Sequence, residues 1–99
     1  MIDITAEQLH IVQSVLRATL LTGSRVWVYG SRVKGETRPA SDLDLAIDAG
    51  EKLSLESLAK IVDAFGEAPL PFKVDVLDLH DISSNFRAVI DAQKTALPL

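Results

Sequence analysis

Asp42 and Asp44 lie two positions apart in the apolar run Ser41-Asp42-Leu43-Asp44-Leu45-Ala46-Ile47, and they constrain this chain more than any other pair. On a strand, side chains two apart point the same way, so the carboxylates share one face while Leu43, Leu45 and Ile47 take the opposite, core-facing side. The spacing predicts a strand over 42–47. Neighbouring like charges repel, and aspartate is a poor strand former, so an unneutralised pair is a folding liability. A divalent cation removes the conflict. Magnesium suits hard carboxylate oxygens and keeps waters and phosphates among its octahedral ligands, so a few carboxylates suffice.

The segment just upstream offers a place for those phosphates. Arg25-Val26-Trp27-Val28-Tyr29 is rich in β-branched and aromatic residues, reads as a strand, and delivers the chain into Gly30-Ser31-Arg32-Val33-Lys34-Gly35. Glycines at both ends of this stretch allow a tight turn that brings backbone N–H groups close to an anion. A phosphate-sized turn followed by paired carboxylates suggests a magnesium–nucleotide site. Asp75, which interrupts the apolar strand Phe72-Lys73-Val74-Asp75-Val76-Leu77, is the third carboxylate expected to join Asp42 and Asp44 from a neighbouring strand. Asp78 is its rival, but strand parity points it to the opposite face.

Composition bounds what such a site can belong to. With 99 residues, 47% of them hydrophobic, the chain is expected to form one domain over 1–99, burying ~65% of its extended surface. The absence of cysteine excludes disulfides and thiolate metal sites and agrees with a reducing compartment. No apolar run approaches the ~20 residues of a membrane helix, and the start Met1-Ile2-Asp3-Ile4-Thr5 does not read as a signal peptide, so a cytoplasmic protein is expected. The net charge of −4 argues against a broad grip on nucleic acid and favours a small phosphate ligand or a protein partner.

The remaining pattern alternates helix and strand. Thr5 with Gln8 forms a capping box, and Leu9, Val12, Leu16 and Leu20 recur at helical spacing until Gly23. A loop broken by Pro39 precedes the charged strand. Ser54 is read as the N-cap of a helix with the apolar face Leu55, Leu58, Val62 and Phe65, ended by Gly66 before Pro69 and Pro71. A last helix over 84–92 is expected to bury Phe86, Val89 and Ile90, with the remainder read as a tail. The sum is an α+β fold, a small mixed β-sheet backed by helices. Trp27 and Tyr29 share a strand face and are read as core in preference to a pocket lining, and His10 and His80 as surface residues.

On these residues the chain resembles a minimal nucleotidyltransferase of the polymerase-β-like superfamily. That family's pattern is Gly-Ser, a nearby basic residue and Gly, then Ser-Asp-x-Asp-Leu, then an Asp on a later strand. Gly30, Ser31, Gly35, Ser41, Asp42, Asp44, Leu45 and Asp75 match it. Lys34 stands where arginine is more usual, keeping the charge without bidentate geometry, and Val33 stands where a small residue is common. The resemblance implies the nucleotidyltransferase fold, with Asp42, Asp44 and Asp75 as catalytic metal ligands. It places nucleotide contacts at Gly30, Ser31, Lys34, Gly35 and Ser41, with Arg32 and Arg38 as further candidates for neutralising triphosphate charge. It also implies ATP as substrate and two magnesium ions ~4 Å apart, with AMP passing to a hydroxyl and pyrophosphate released.

Larger members of that superfamily carry extra domains for nucleic acid or aminoglycosides, which this length does not accommodate. The chain is similar to stand-alone minimal members that form the antitoxin halves of toxin–antitoxin pairs, whose partner is a HEPN ribonuclease. The resemblance then implies transfer of AMP to a tyrosine hydroxyl of that toxin, in a hetero-oligomer or with a homo-oligomer forming. Two alternatives stay open. One is a binding module with a vestigial site that neutralises its partner by complex formation; the other is an aminoglycoside-type enzyme acting on a small molecule.

Overall fold

The computed structural model describes residues 2–35, 38 and 41–99. Along the chain run α1 (Ala6–Thr19), β1 (Arg25–Tyr29), α2 (Ser31–Lys34), β2 (Leu43–Asp48), α3 (Leu55–Glu67), β3 (Val74–Asp78), α4 (Ser84–Asp91) and β4 (Thr95–Ala96). Among the described residues these strands form a mixed sheet in the order β3-β2-β1-β4. β1 is antiparallel to both β2 and β4, whereas β2 and β3 run parallel through the α3 crossover. The α+β class expected from the alternating pattern is the one observed.

Local chemistry sets the ends of these elements. Thr5 and Gln8 exchange two 3.0 Å hydrogen bonds in the capping box at the start of α1, satisfying two otherwise orphaned N–H groups. Ser54 and Ser83 cap α3 and α4 by accepting from the third residue of each helix. Strand alternation then sorts the sheet's two faces. Val26, Val28, Leu43, Leu45, Ile47 and Val74 pack beneath α1 and α3 against Val12, Leu16, Ile61 and Phe65. Ala46, Trp27, Tyr29 and Leu77 face the other way and meet Ile90 of α4 together with Leu79 and Ile82.

Several boundaries and faces differ from the sequence expectation. β2 and β3 sit at 43–48 and 74–78 rather than 42–47 and 72–77. Helix α3 continues through Gly66 to Glu67 and buries Ile61 and Phe65, leaving Leu55 84% and Val62 46% exposed. Leu58, Ile61 and Phe65 follow the three-and-four spacing of one stripe, and Val62 falls at its rim. Helix α4 buries Ile90 alone; Phe86 and Val89 stay exposed because they lie outside the small buried cluster that Ile90 forms with Ala46 and Leu79. The tail is not plain coil: Trp27 pairs with Ala96 and Val28 with Thr95. Pro39, read as a loop breaker, lies outside the described residues.

Candidate active site

β1 ends in a turn that only glycine makes comfortably. Gly30 has φ +81° and ψ −154°, a region closed to residues with a Cβ, and Gly35 closes the single turn of α2 in the left-handed conformation. The Gly30 carbonyl accepts from the N–H groups of Val33 and Lys34, both at 3.1 Å. Its own N–H donates to Gln93 Oε1 at 2.8 Å. The Gly35 N–H donates to the Ser31 carbonyl, and with four of its N–H groups engaged internally the anion cradle is narrower than the sequence alone suggests. Ser31 stands at the head of α2, and Lys34 is exposed in the same turn.

Sheet register brings the carboxylates together. Tyr29, Asp44 and Asp75 are Cα partners across β1, β2 and β3, so their side chains rise from one face side by side. Asp42 precedes β2 and is exposed, as is Asp75, while Asp44 is half-buried. Burial, then the charge of Asp75, then that of Asp42, push the Asp44 carboxyl above its ordinary range. The Tyr29 phenol is pushed up to about 12 by burial and by the charges of Asp44 and Asp75. The same field thus acts on both residues. Gly30 lies close beneath it: a Cβ there would overlap Asp44 Oδ2 and come within 3.2 Å of its Cγ.

Among the described residues no three carboxylates or imidazoles are drawn together tightly enough to cage an ion. Asp44 and Asp75 share a face and Asp42 adds its charge to their field, an open arrangement that suits a cation still carrying waters and phosphates. The carboxylates do not line a deep pocket. A cavity of about 300 Å³ lies elsewhere, bordered by Val62, Phe65, Leu70, Phe72 and Val74 on the α3 side of the sheet.

Other residues read from sequence take structural places. Arg32 is only 5% exposed and donates to the carbonyls of Ser41 at 2.9 and 3.1 Å and of Asp3 at 2.8 Å, with its guanidinium 4.2 Å from the Phe72 ring centre. It ties the N-terminus, α2 and the lead into β2 together, so it is removed from the cations that could meet a triphosphate. Arg32→Ala is expected to cost about 2–4 kcal/mol, because the carbonyls of Asp3 and Ser41 and an aromatic face lose a buried partner; the urea midpoint measures it. Ser41 Oγ accepts from the Arg38 N–H at 2.8 Å, fastening the turn into β2. Asp78, the rival to Asp75, is buried and accepts from the N–H groups of Leu53 and His80 at 2.7 and 2.9 Å. His80 Nε2 lies 2.7 Å from Asp48 Oδ1, at the far end of β2 from Asp44.

Two contacts near the turn escaped the sequence reading. Phe86 meets the Tyr29 ring edge-on at 6.4 Å, and Gln93 holds the Gly30 amide. The first pairs β1 with a helix residue, Phe86, that the helical spacing places in the core. The second spans 63 positions and leaves no local signature.

A glycine–serine turn feeding an aspartate pair across an antiparallel hairpin, with a third aspartate on a parallel neighbour, defines the nucleotidyltransferase class. Residues 22–97 match the family model described as polymerase beta, nucleotidyltransferase, and the chain belongs to that family. It is 43% identical over 89 residues, 90% of this chain and 77% of that protein, to the probable protein adenylyltransferase MntA of Haemophilus influenzae. The fold also matches the crystal structure of a toxin–antitoxin with AMP-PNP (TM-score 0.77, 21% identity, 91% of this chain and 72% of that one). The toxin–antitoxin MntA-HepT superposes with TM-score 0.64 at 19% identity, over 95% of this chain and 72% of the other.

Proposed function

We propose that this nucleotidyltransferase moves AMP from ATP to a tyrosine hydroxyl of a partner HEPN toxin, and so serves as its antitoxin. The observation that carries the reading is the register Asp44↔Asp75 beside the Gly30-Ser31 turn, in a chain 43% identical to a protein named an adenylyltransferase. The MntA-HepT fold likeness supports a toxin as the partner and a hetero-oligomer as the working form. Among the described residues no helix is long and apolar enough to cross a membrane, which agrees with a cytoplasmic setting where ATP is plentiful.

The donor set fits magnesium on chemical grounds: three carboxylates share one field, and Asp44 already carries the strain of that crowding. Asp42, Asp44 and Asp75 would hold two ions, which when bound neutralise the triphosphate and lower the pKa of the incoming hydroxyl. Ser31 and the head of α2 orient the β and γ phosphates, Gly30 and Gly35 shape that turn, and Lys34 supplies a point charge toward them. Ser41 contributes indirectly, by fixing the approach to Asp42. The acceptor oxygen forms a bond to the α-phosphorus as the bond to the bridging oxygen breaks and pyrophosphate leaves. Asp75, exposed and opposite Asp44, takes the proton of the attacking hydroxyl on a carboxylate oxygen. Tyr29 is a neutral phenol at neutral pH, as an ordinary tyrosine is, and its pKa, pushed up to about 12, keeps it so into more alkaline solution.

Incubation with α-labelled ATP, magnesium and the product of the neighbouring gene should label that product. Asp42→Ala, Asp44→Ala and Asp75→Ala should each reduce labelling by about a thousandfold or more. Labelling that survives Asp44→Ala sinks the metal assignment. A wild-type protein that silences its partner without labelling it is a binding module instead.

A further inference from the structure

We propose that Gln93 is a positioning residue that sets the spacing between the phosphate turn and the Asp44 carboxylate. The inference rests on the nucleotide-site reading above and adds to it a residue outside the family's motif. Gly30 caps α2 without a side chain, so its two flanking peptide groups alone decide how the turn is aimed. The following peptide is held through the Gly30 carbonyl by Val33 and Lys34. The preceding one is held through the Gly30 N–H by Gln93 Oε1 at 2.8 Å. Because Gly30 Cα lies against Asp44, any rotation about this residue alters the distance from Ser31 to the carboxylates.

Gln93 is itself delivered by a rigid corner. Its N–H and that of Lys94 donate to the carbonyl of Ile90 at 3.0 and 2.9 Å, and Ile90 is fully buried. Lys94 Nζ lies 2.7 Å from Asp91 Oδ1 and 4.4 Å from the Trp27 ring centre, and Thr95 then pairs with Val28 on β1. The side-chain amide also suits the place chemically. It offers an acceptor oxygen to Gly30 without bringing negative charge to a turn that must receive phosphates.

The test uses the full chain with nitrogen-15 labelling, comparing wild type, Gln93→Leu and Gln93→Glu at a temperature where all three are folded. Gln93→Leu removes the acceptor at similar size, and the Gly30 amide should exchange with solvent about tenfold faster. Its dissociation constant for magnesium–ATP, read by calorimetry, should rise about tenfold, one decade being 1.4 kcal/mol. Gln93→Glu keeps an acceptor oxygen and should restore the slow exchange of Gly30. The inference is overturned if Gln93→Leu leaves Gly30 exchange and ATP affinity unchanged, or if Gln93→Glu exchanges as fast as Gln93→Leu. A wild-type protein that binds no magnesium–ATP while Gly30 stays protected overturns the nucleotide-site reading itself, a distinguishable failure.

Discussion

Asp44→Asn should melt at a higher temperature than the parent protein and transfer no AMP. Ionised Asp44 is half-buried between Asp75 on one side and Asp42 along its own segment, so at neutral pH its charge works against the fold. Its folded pKa is raised, meaning that the folded state holds the proton more tightly than the unfolded chain. Stability therefore falls as pH rises from the ordinary carboxylate value through the raised one, and the loss is complete above that window. Asparagine keeps the shape without the charge. Like charges on facing strands cost up to ~1 kcal/mol, which in a domain of this size corresponds to a few degrees in Tm. The advantage of the variant should shrink in thermal melts taken below the window. Magnesium should raise the Tm of wild type and leave Asp44→Asn nearly unmoved. A variant that melts lower than wild type at neutral pH contradicts the account.

Gly30→Ala should be the most damaging single methyl group that can be added near the site. The backbone at φ +81°, ψ −154° costs about 1–3 kcal/mol for a residue with a Cβ, and the new carbon overlaps Asp44 Oδ2. Relieving the overlap means moving either the turn or the carboxylate, adding about 1–3 kcal/mol and misplacing the phosphates relative to the metal ligands. Near-complete loss of AMP transfer is expected alongside a drop of about 2–6 kcal/mol in unfolding free energy measured by urea titration. Gly35→Ala is the control. Gly35 also has positive φ, +78°, but among the described residues a Cβ there meets nothing within 4 Å, so the backbone cost of about 1–2 kcal/mol applies without the overlap and the loss of activity should be smaller.

What could be read from sequence was local or periodic. The capping pair Thr5 and Gln8 and the strand Arg25–Tyr29 both follow from spacings of two to four residues, which carry their own geometry. Asp75 was found because an aspartate inside an apolar strand is out of place unless something answers it. The reading failed where a residue's fate depends on what packs over it. Phe86 and Val89 are apolar at helical spacing, yet they lie outside the small buried cluster that Ile90 forms with Ala46 and Leu79. Arg32 looks like its basic neighbours until the carbonyls of Asp3 and Ser41 close around it. β4 has only two residues, too few for any period to register, and Gln93 acts across 63 positions.

The parallel pairing of β2 with β3 has a bearing on time as well as geometry. Asp44 and Asp75 are joined across the α3 crossover, and the hydrogen bond that Gly30 gives Gln93 closes a loop that returns through α4. Pairings of such long sequence separation must meet the entropy of loop closure before they gain contacts, so they come late in folding. A nascent or half-folded chain thus keeps Asp75 apart from the Asp42 and Asp44 pair, and adds the third charge in the same step that completes the site. Competence to transfer a nucleotide should accordingly appear in refolding experiments with the slowest native signal, not with the first helices.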